Sequence, residues 1–163
     1  MPGPKTFHGP PDSEATPWAP ELGDGVLLHL TLPSDSSLLC VVRATVDSLT
    51  ALLKFSEADC RGVTRAVDEA MANIVRHSYG GRLDRPIGIR FRRLSGETGP
   101  GLEILFWDEG LPIDSSKLRP RRLDEVRPGG LGLHFMRQAM DTVEFSRVGG
   151  ANRLRMVKFG GRQ

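Results

Sequence analysis

Cysteine is nearly absent from this 163-residue chain, which holds only Cys40 and Cys60. Two cysteines cannot build a disulfide framework, and both fall inside apolar helical patterns, so they read as free, buried thiols in a reducing compartment. Histidine is sparse as well: His8, His29, His77 and His134 stand far apart without ligand spacing, which excludes a metal site made of His and Cys. Long apolar runs are missing. Stretches such as VLLHL and LLCVV fall far short of the roughly 20 residues that span a bilayer. The net charge is only +2, and the arginines are interspersed with acids, so no basic face for nucleic acid is expected. The first residues, MPGPKTFHGPPDSEATPWAP, lack the basic and apolar regions of a secretory signal. Together these absences lead to the expectation of a cytoplasmic protein with no membrane or nucleic-acid partner.

What is present fits one folded domain. Hydrophobic residues make up 39% and charged residues 26%, ordinary values for a chain able to bury a core. Residues 1–22 read as a disordered, proline-rich leader carrying Trp18. The domain is expected over 23–160. VLLHLTL predicts a first strand. After a cap at Ser34 or Asp35, Leu38, Val42, Val46, Leu49 and Leu53 recur at helical spacing. A second helix is predicted from Ser56, its cap, to Ser78. Glu57 and Asp59 sit in its first turn, where the helix dipole favours acids, and Tyr79-Gly80-Gly81 stop it.

After Pro86 the period changes to two. Ile87, Ile89 and Phe91 alternate with Gly88, Arg90 and Arg92, and LEILFWDEG repeats the pattern beyond an SGETGPG turn. From 111 to 128 all periodicity is lost, and a connection that long inside a domain is usually functional. A third helix follows to about Met140, then TVEFSRV and RLRMVKF as strands around a GGAN turn. Hairpins imply antiparallel strands, and about three helices suffice to cover one sheet face. The predicted fold is an α+β two-layer sandwich with a mixed, mostly antiparallel sheet whose second face is open to a partner.

Three clusters of residues carry chemical potential. On the second helix Val63, Val67, Ala70 and Ile74 form the buried stripe, while Glu69 and Asn73, four residues apart, stack beside it with Gly62 one turn earlier. A carboxylate there can take a hydroxyl proton, and an amide oxygen can ligate a hard cation. Taken alone, the pair reads as an ordinary helix surface. WDEG closes a strand with an acceptor and a flexible residue, which is also how a plain turn reads. GGLGLHFM opens a helix with glycines whose amides can hold an anion. It is no P-loop, since GxxxxGK[ST] occurs nowhere, and it lacks the third glycine and preceding strand of a dinucleotide fingerprint.

In order, ExxxN on a helix, DxG after a strand, and GxG opening a helix resemble the N-box, G1 and G2 motifs of the GHKL (Bergerat-fold) ATPase superfamily. VDEAMANIVRHSYGG and GGLGLHFMRQAMDTVEFSRVGGANRLRMVK are similar to the anti-sigma-factor serine/threonine kinases within it, and the resemblance runs from about Val26 to Lys158. It implies ATP and Mg²⁺. Glu69 would be the general base, Asn73 the Mg²⁺ ligand, and Asp108 the acceptor for the adenine amino group, with Gly110 making room. Gly130 and Gly132, with the backbone of Leu131 and Leu133, would hold phosphates, and His77 would line the nucleotide site. Residues 111–128 would form an ATP lid, with Lys117, Arg119, Arg121, Arg122 and Arg127 as phosphate contacts. The implied partners are a STAS-domain anti-anti-sigma protein, phosphorylated on serine, and an RNA polymerase sigma factor sequestered by a homodimer.

Two positions depart from the pattern. Pro112 stands where DxGxG has its second glycine, and no threonine lies near Ala151, where Asn152 offers a polar substitute. They favour the alternative expectation, a nucleotide-binding regulatory module without phosphoryl transfer. A histidine kinase is disfavoured, because no phosphoacceptor helical domain fits in the chain.

Overall fold

The computed structural model describes residues 24–97, 99–113 and 131–161. Strand β1 (Val26–Pro33) leads through a 3-10 turn at Ser36–Leu38 into helix α1 (Leu39–Leu52). Helix α2 (Glu57–Asn73) continues directly into one π turn, Ile74–Ser78. Then come β2 (Pro86–Gly96), β3 (Gly99–Asp108), α3 (Leu131–Ala139), β4 (Thr142–Val148) and β5 (Ala151–Phe159). The five strands form one sheet in the order β1-β2-β3-β5-β4. Every ladder among the described residues is antiparallel, so the expected parallel component is absent there.

The alternation read from the sequence sets the two faces. Ile87, Ile89 and Phe91 on β2 and Leu102, Ile104 and Phe106 on β3 are fully buried under the helices. Val42 and Val46 of α1 and Val63, Val67, Ala70 and Ile74 of α2 close over them. Removing side chains of this size from water is worth roughly 1.5–3 kcal/mol each, which fixes the register of the central strands.

The caps are local. Ser56 Oγ accepts the Asp59 N–H at 3.1 Å, and Asp35 Oδ1 accepts the Ser37 N–H at 2.8 Å. Ser34, the other cap candidate, is fully buried instead, and its hydroxyl donates to the Arg82 carbonyl at 2.6 Å. The stop after α2 is formed by Gly80 and Gly81, with φ of 60° and 84°. The β2–β3 connection is tighter than SGETGPG suggested, because pairing continues to Gly96 and Gly99.

The expectation for the thiols needs correcting. Cys40 is exposed and Cys60 only partly buried. Cys40 lies two residues, about 200° of helix turn, from the buried Val42, and so faces solvent. The leader 1–22 with Trp18, and lid positions 114–128, lie outside the described residues.

Opposite the helices, the sheet presents a charged rail. Glu103 on β3 is 3% exposed and is gripped by Arg92 from β2 at 2.9 and 3.0 Å. Arg155 of β5 grips its other side at 2.6 Å and reaches on to Glu144 of β4 at 2.9 Å. Burial pushes the Glu103 carboxyl up, but the hydrogen bonds from Arg92 and Arg155 outweigh it and hold the group below its ordinary range.

Candidate nucleotide site

Helices α2 and α3 meet along a seam that ends at the candidate base. A Cβ placed on Gly62 would touch that of Ala139 at 3.4 Å, so the helices approach closely there. One turn on, the Arg65 guanidinium lies 5.1 Å from the centre of the Phe135 ring. At the last rung Gly132 faces Glu69, and a Cβ on Gly132 would overlap the Glu69 carboxylate. The glycine leaves the space that the Glu69 carboxylate occupies.

At this end of the sheet the layers part around a cavity of about 310 Å³, a size suited to a small ligand. Glu69, Asn73 and His77 line one wall, Asp108 and Asn152 the sheet side, and Leu111, Pro112 and Leu133 the rim. The π turn contributes to this arrangement. Its extra residue widens the helix after Asn73, so both His77 and Ser78 reach the cavity. The Ser78 carbonyl then accepts the Leu111 N–H at 2.9 Å. Gly110 packs so tightly on the Ser78 backbone that a Cβ would overlap it. Tyr79 adds a clamp: its hydroxyl donates to the Pro86 carbonyl at 2.5 Å and accepts the Glu109 N–H at 3.0 Å.

Asp108 is 3% exposed at the end of β3. Burial raises its carboxyl above the ordinary aspartate value. Hydrogen bonds from Asn152, the Gly110 amide and Ser78, and the nearby charge of Arg147, oppose that shift without cancelling it. The Asn152 amide donates to Asp108 Oδ1 at 2.8 Å and to the Leu111 carbonyl at 2.9 Å.

The expected site residues thus largely converge. Glu69, Asn73, His77, Asp108 and Leu133 share one cavity, Gly132 abuts Glu69, and Gly110 braces the floor against Ser78. Gly130, the Leu131 side chain and the lid residues Lys117, Arg119, Arg121, Arg122 and Arg127 lie outside the described residues. Sequence reasoning missed Ser78, because a π turn has no signature in residue spacing. It also missed Arg147, whose guanidinium donates to Asn152 Oδ1 at 2.5 Å across the β4–β5 hairpin.

Residues 32–158 match the model of the histidine kinase-like ATPase domain. The chain belongs to that family. The serine-protein kinase RsbW of Halalkalibacterium halodurans is 31% identical over 138 residues, covering 81% of this chain and 82% of its own. The RsbW of Bacillus subtilis is 26% identical over 140 residues, covering 81% and 84%. Among solved structures, the SiaB–SiaC complex of Pseudomonas aeruginosa superposes with a TM-score of 0.62 at 17% identity, over 82% of this chain and 90% of that one. The RsbU and RsbW domains of Rv1364c from Mycobacterium tuberculosis give 0.59 at 17% identity, over 83% of this chain and a 33% portion of theirs. The expected kinship with anti-sigma-factor kinases of the GHKL superfamily is borne out, and it supports an ATP-binding kinase in a partner-switching role.

Membership of the histidine kinase-like ATPase family implies ATP binding, and ATP brings a cation with it. Mg²⁺ favours oxygen ligands and keeps several waters and phosphate oxygens about it, so a site needs few protein donors. No cluster of three or more His, Cys, Asp or Glu exists among the described residues. Asn73 supplies one amide oxygen on the cavity wall. That fits a cation carried in by phosphates better than one caged by the protein. No helix among the described residues is long and apolar enough to cross a membrane.

Proposed function

We propose that this protein is a cytoplasmic serine/threonine kinase of a partner-switching system. It would transfer the ATP γ-phosphate to a serine of a STAS-domain anti-anti-sigma protein and, as a homodimer, sequester a sigma factor. The observation that carries the reading is the convergence of Glu69, Asn73 and Asp108 on one cavity, with Gly132 seated against Glu69.

In this reading Asp108 receives the adenine amino group at the cavity's buried end. The amides at the start of α3 face the phosphates, where the helix dipole favours negative charge. Glu69 accepts the proton of the attacking serine hydroxyl as that oxygen bonds to the γ-phosphorus. The bond from phosphorus to the bridging oxygen breaks, and its electron pair leaves with ADP. Held by Asn73 and the phosphates, Mg²⁺ would supply neutralising charge. The protein's contribution is otherwise positioning and electrostatics, as in phosphoryl transfer generally.

The test is to incubate the protein with γ-labelled ATP, Mg²⁺ and a STAS protein encoded beside it. Label should appear on a serine of the STAS protein and vanish with Glu69→Ala while ATP binding persists. Tight ATP binding without transfer to any encoded STAS protein would overturn the kinase reading. It would favour the non-catalytic nucleotide-binding module, whose support is Pro112 at the cavity rim.

A further inference from the structure

The oxygens and hydrogens around Asp108 are assigned by their neighbours. Asp108 Oδ1 accepts the Gly110 N–H at 2.9 Å and one hydrogen of the Asn152 amide at 2.8 Å. The Asn152 nitrogen also donates to the Leu111 carbonyl at 2.9 Å. Its oxygen accepts from Arg147 Nη1, which reaches on to the Gly110 carbonyl at 3.3 Å. Only one orientation of that amide is possible. A guanidinium cannot accept a hydrogen bond, and neither a carboxylate nor a carbonyl can donate one.

Asn152 is 1% exposed, so its orientation is not negotiated with solvent. An ionised carboxylate can only accept, and the hydrogens given by Asn152, Gly110 and Ser78 favour that ionised form of Asp108. A purine carrying a 6-amino group finds a partner there, whereas a 6-oxo group would face oxygen. An aspartate at 152 would have the same shape but no hydrogens. Two carboxyls at that distance cannot both stay ionised, and an Asp108 that takes up the proton gains a hydrogen to donate to a 6-oxo group.

We infer that Asn152 and Arg147 are the base-specificity determinants of this site: Asn152 fixes the Asp108 carboxylate as an acceptor, and Arg147 fixes Asn152. Arg147 acts through Asn152 and is a positioning residue. The inference rests on the reading that the base contacts Asp108, but it assigns the selection to two residues on a different hairpin.

The test is calorimetric titration of the full chain with ATP and with inosine triphosphate, which differs at the 6-position, both with Mg²⁺. The intact protein should prefer ATP by about tenfold or more, the weight of one hydrogen bond to a charged group. Asn152→Asp should bring the ratio of the two affinities towards one. Arg147→Ala should lower it several-fold, and Arg147→Lys, which keeps a donor, should restore most of it. Arg147 is exposed, so its variants keep the inference testable if Asn152→Asp fails to fold. A merely structural role would weaken both nucleotides equally and leave the ratio unmoved. If Asp108→Asn abolishes the preference while folded Asn152→Asp and the Arg147 variants retain it, the inference alone is overturned. If the intact protein shows no preference, the placement of the base at Asp108 falls, and the inference falls with it.

Discussion

Gly132 and Glu69 occupy a shared space: the first turn of α3 runs so close to the carboxylate that the glycine's missing Cβ is the room the acid stands in. The obstructing atoms belong to the end of a flexible side chain. Gly132→Ala should therefore fold, since a helical glycine replaced by alanine gains up to about 1 kcal/mol of helix propensity. The displaced Glu69 should reduce phosphoryl transfer by about tenfold to a hundredfold. Single-turnover rates set against thermal melts would separate the two effects. Equal losses of rate and stability would contradict it.

Gly110→Ala should behave in the opposite way. Its Cβ would strike the Ser78 backbone, which cannot swing aside, so a loss on the order of 1–3 kcal/mol in stability is expected, accompanied by weaker ATP binding. Denaturant unfolding of the two glycine variants side by side would show the contrast.

Asp108 ties stability to pH in a stated direction. Its native carboxyl titrates above the unfolded value, so its contribution to stability is present at low pH and is lost as pH rises through the native value. At neutral pH the ionised group is a burden on the fold. Asp108→Asn should raise the melting temperature, about 2–4 °C if the burden is about 1 kcal/mol, while removing the preference for ATP. ATP affinity of the intact protein should begin to fall, on acidification, at a higher pH than an exposed aspartate would titrate.

Glu103 runs the other way, with its native carboxyl held low by Arg92 and Arg155, so its stabilisation is lost as pH falls through that depressed value. Glu103→Ala would strand two guanidiniums. Both remain over a third exposed and partly hydrated, so the expected cost is about 2 kcal/mol, below that of breaking a fully buried pair. Urea midpoints across pH would test both the size and the sign.

Much of this was legible in the residues. Ile87, Ile89, Phe91 and the stripe from Val63 to Ile74 announce their faces because burial at fixed period leaves a written pattern. Helical spacing puts Glu69 and Asn73 on one face, but only the ordered resemblance of ExxxN, DxG and GxG singles out these two and Asp108. Cys40 was misjudged because apolar composition does not say which side of a helix a residue takes. Arg147 and Ser78 were invisible for a different reason. Arg147 is brought to Gly110 by a strand order, and Ser78 to Asp108 by a helix of the wrong pitch, and neither leaves a trace in local spacing.

The π turn at Ile74–Ser78 acts as a vernier between two scales. Upstream, positions are counted in helical turns, so Glu69 and Asn73 keep their places whatever follows. Downstream, positions are counted by what they brace: Ser78 against Gly110 and Leu111, and Tyr79 against Pro86 and Glu109. Removing a single residue between them would preserve every motif and still pull the cavity floor out of step with its wall. Two chains can thus share the same glutamate and asparagine and differ in whether a nucleotide has anything to rest on.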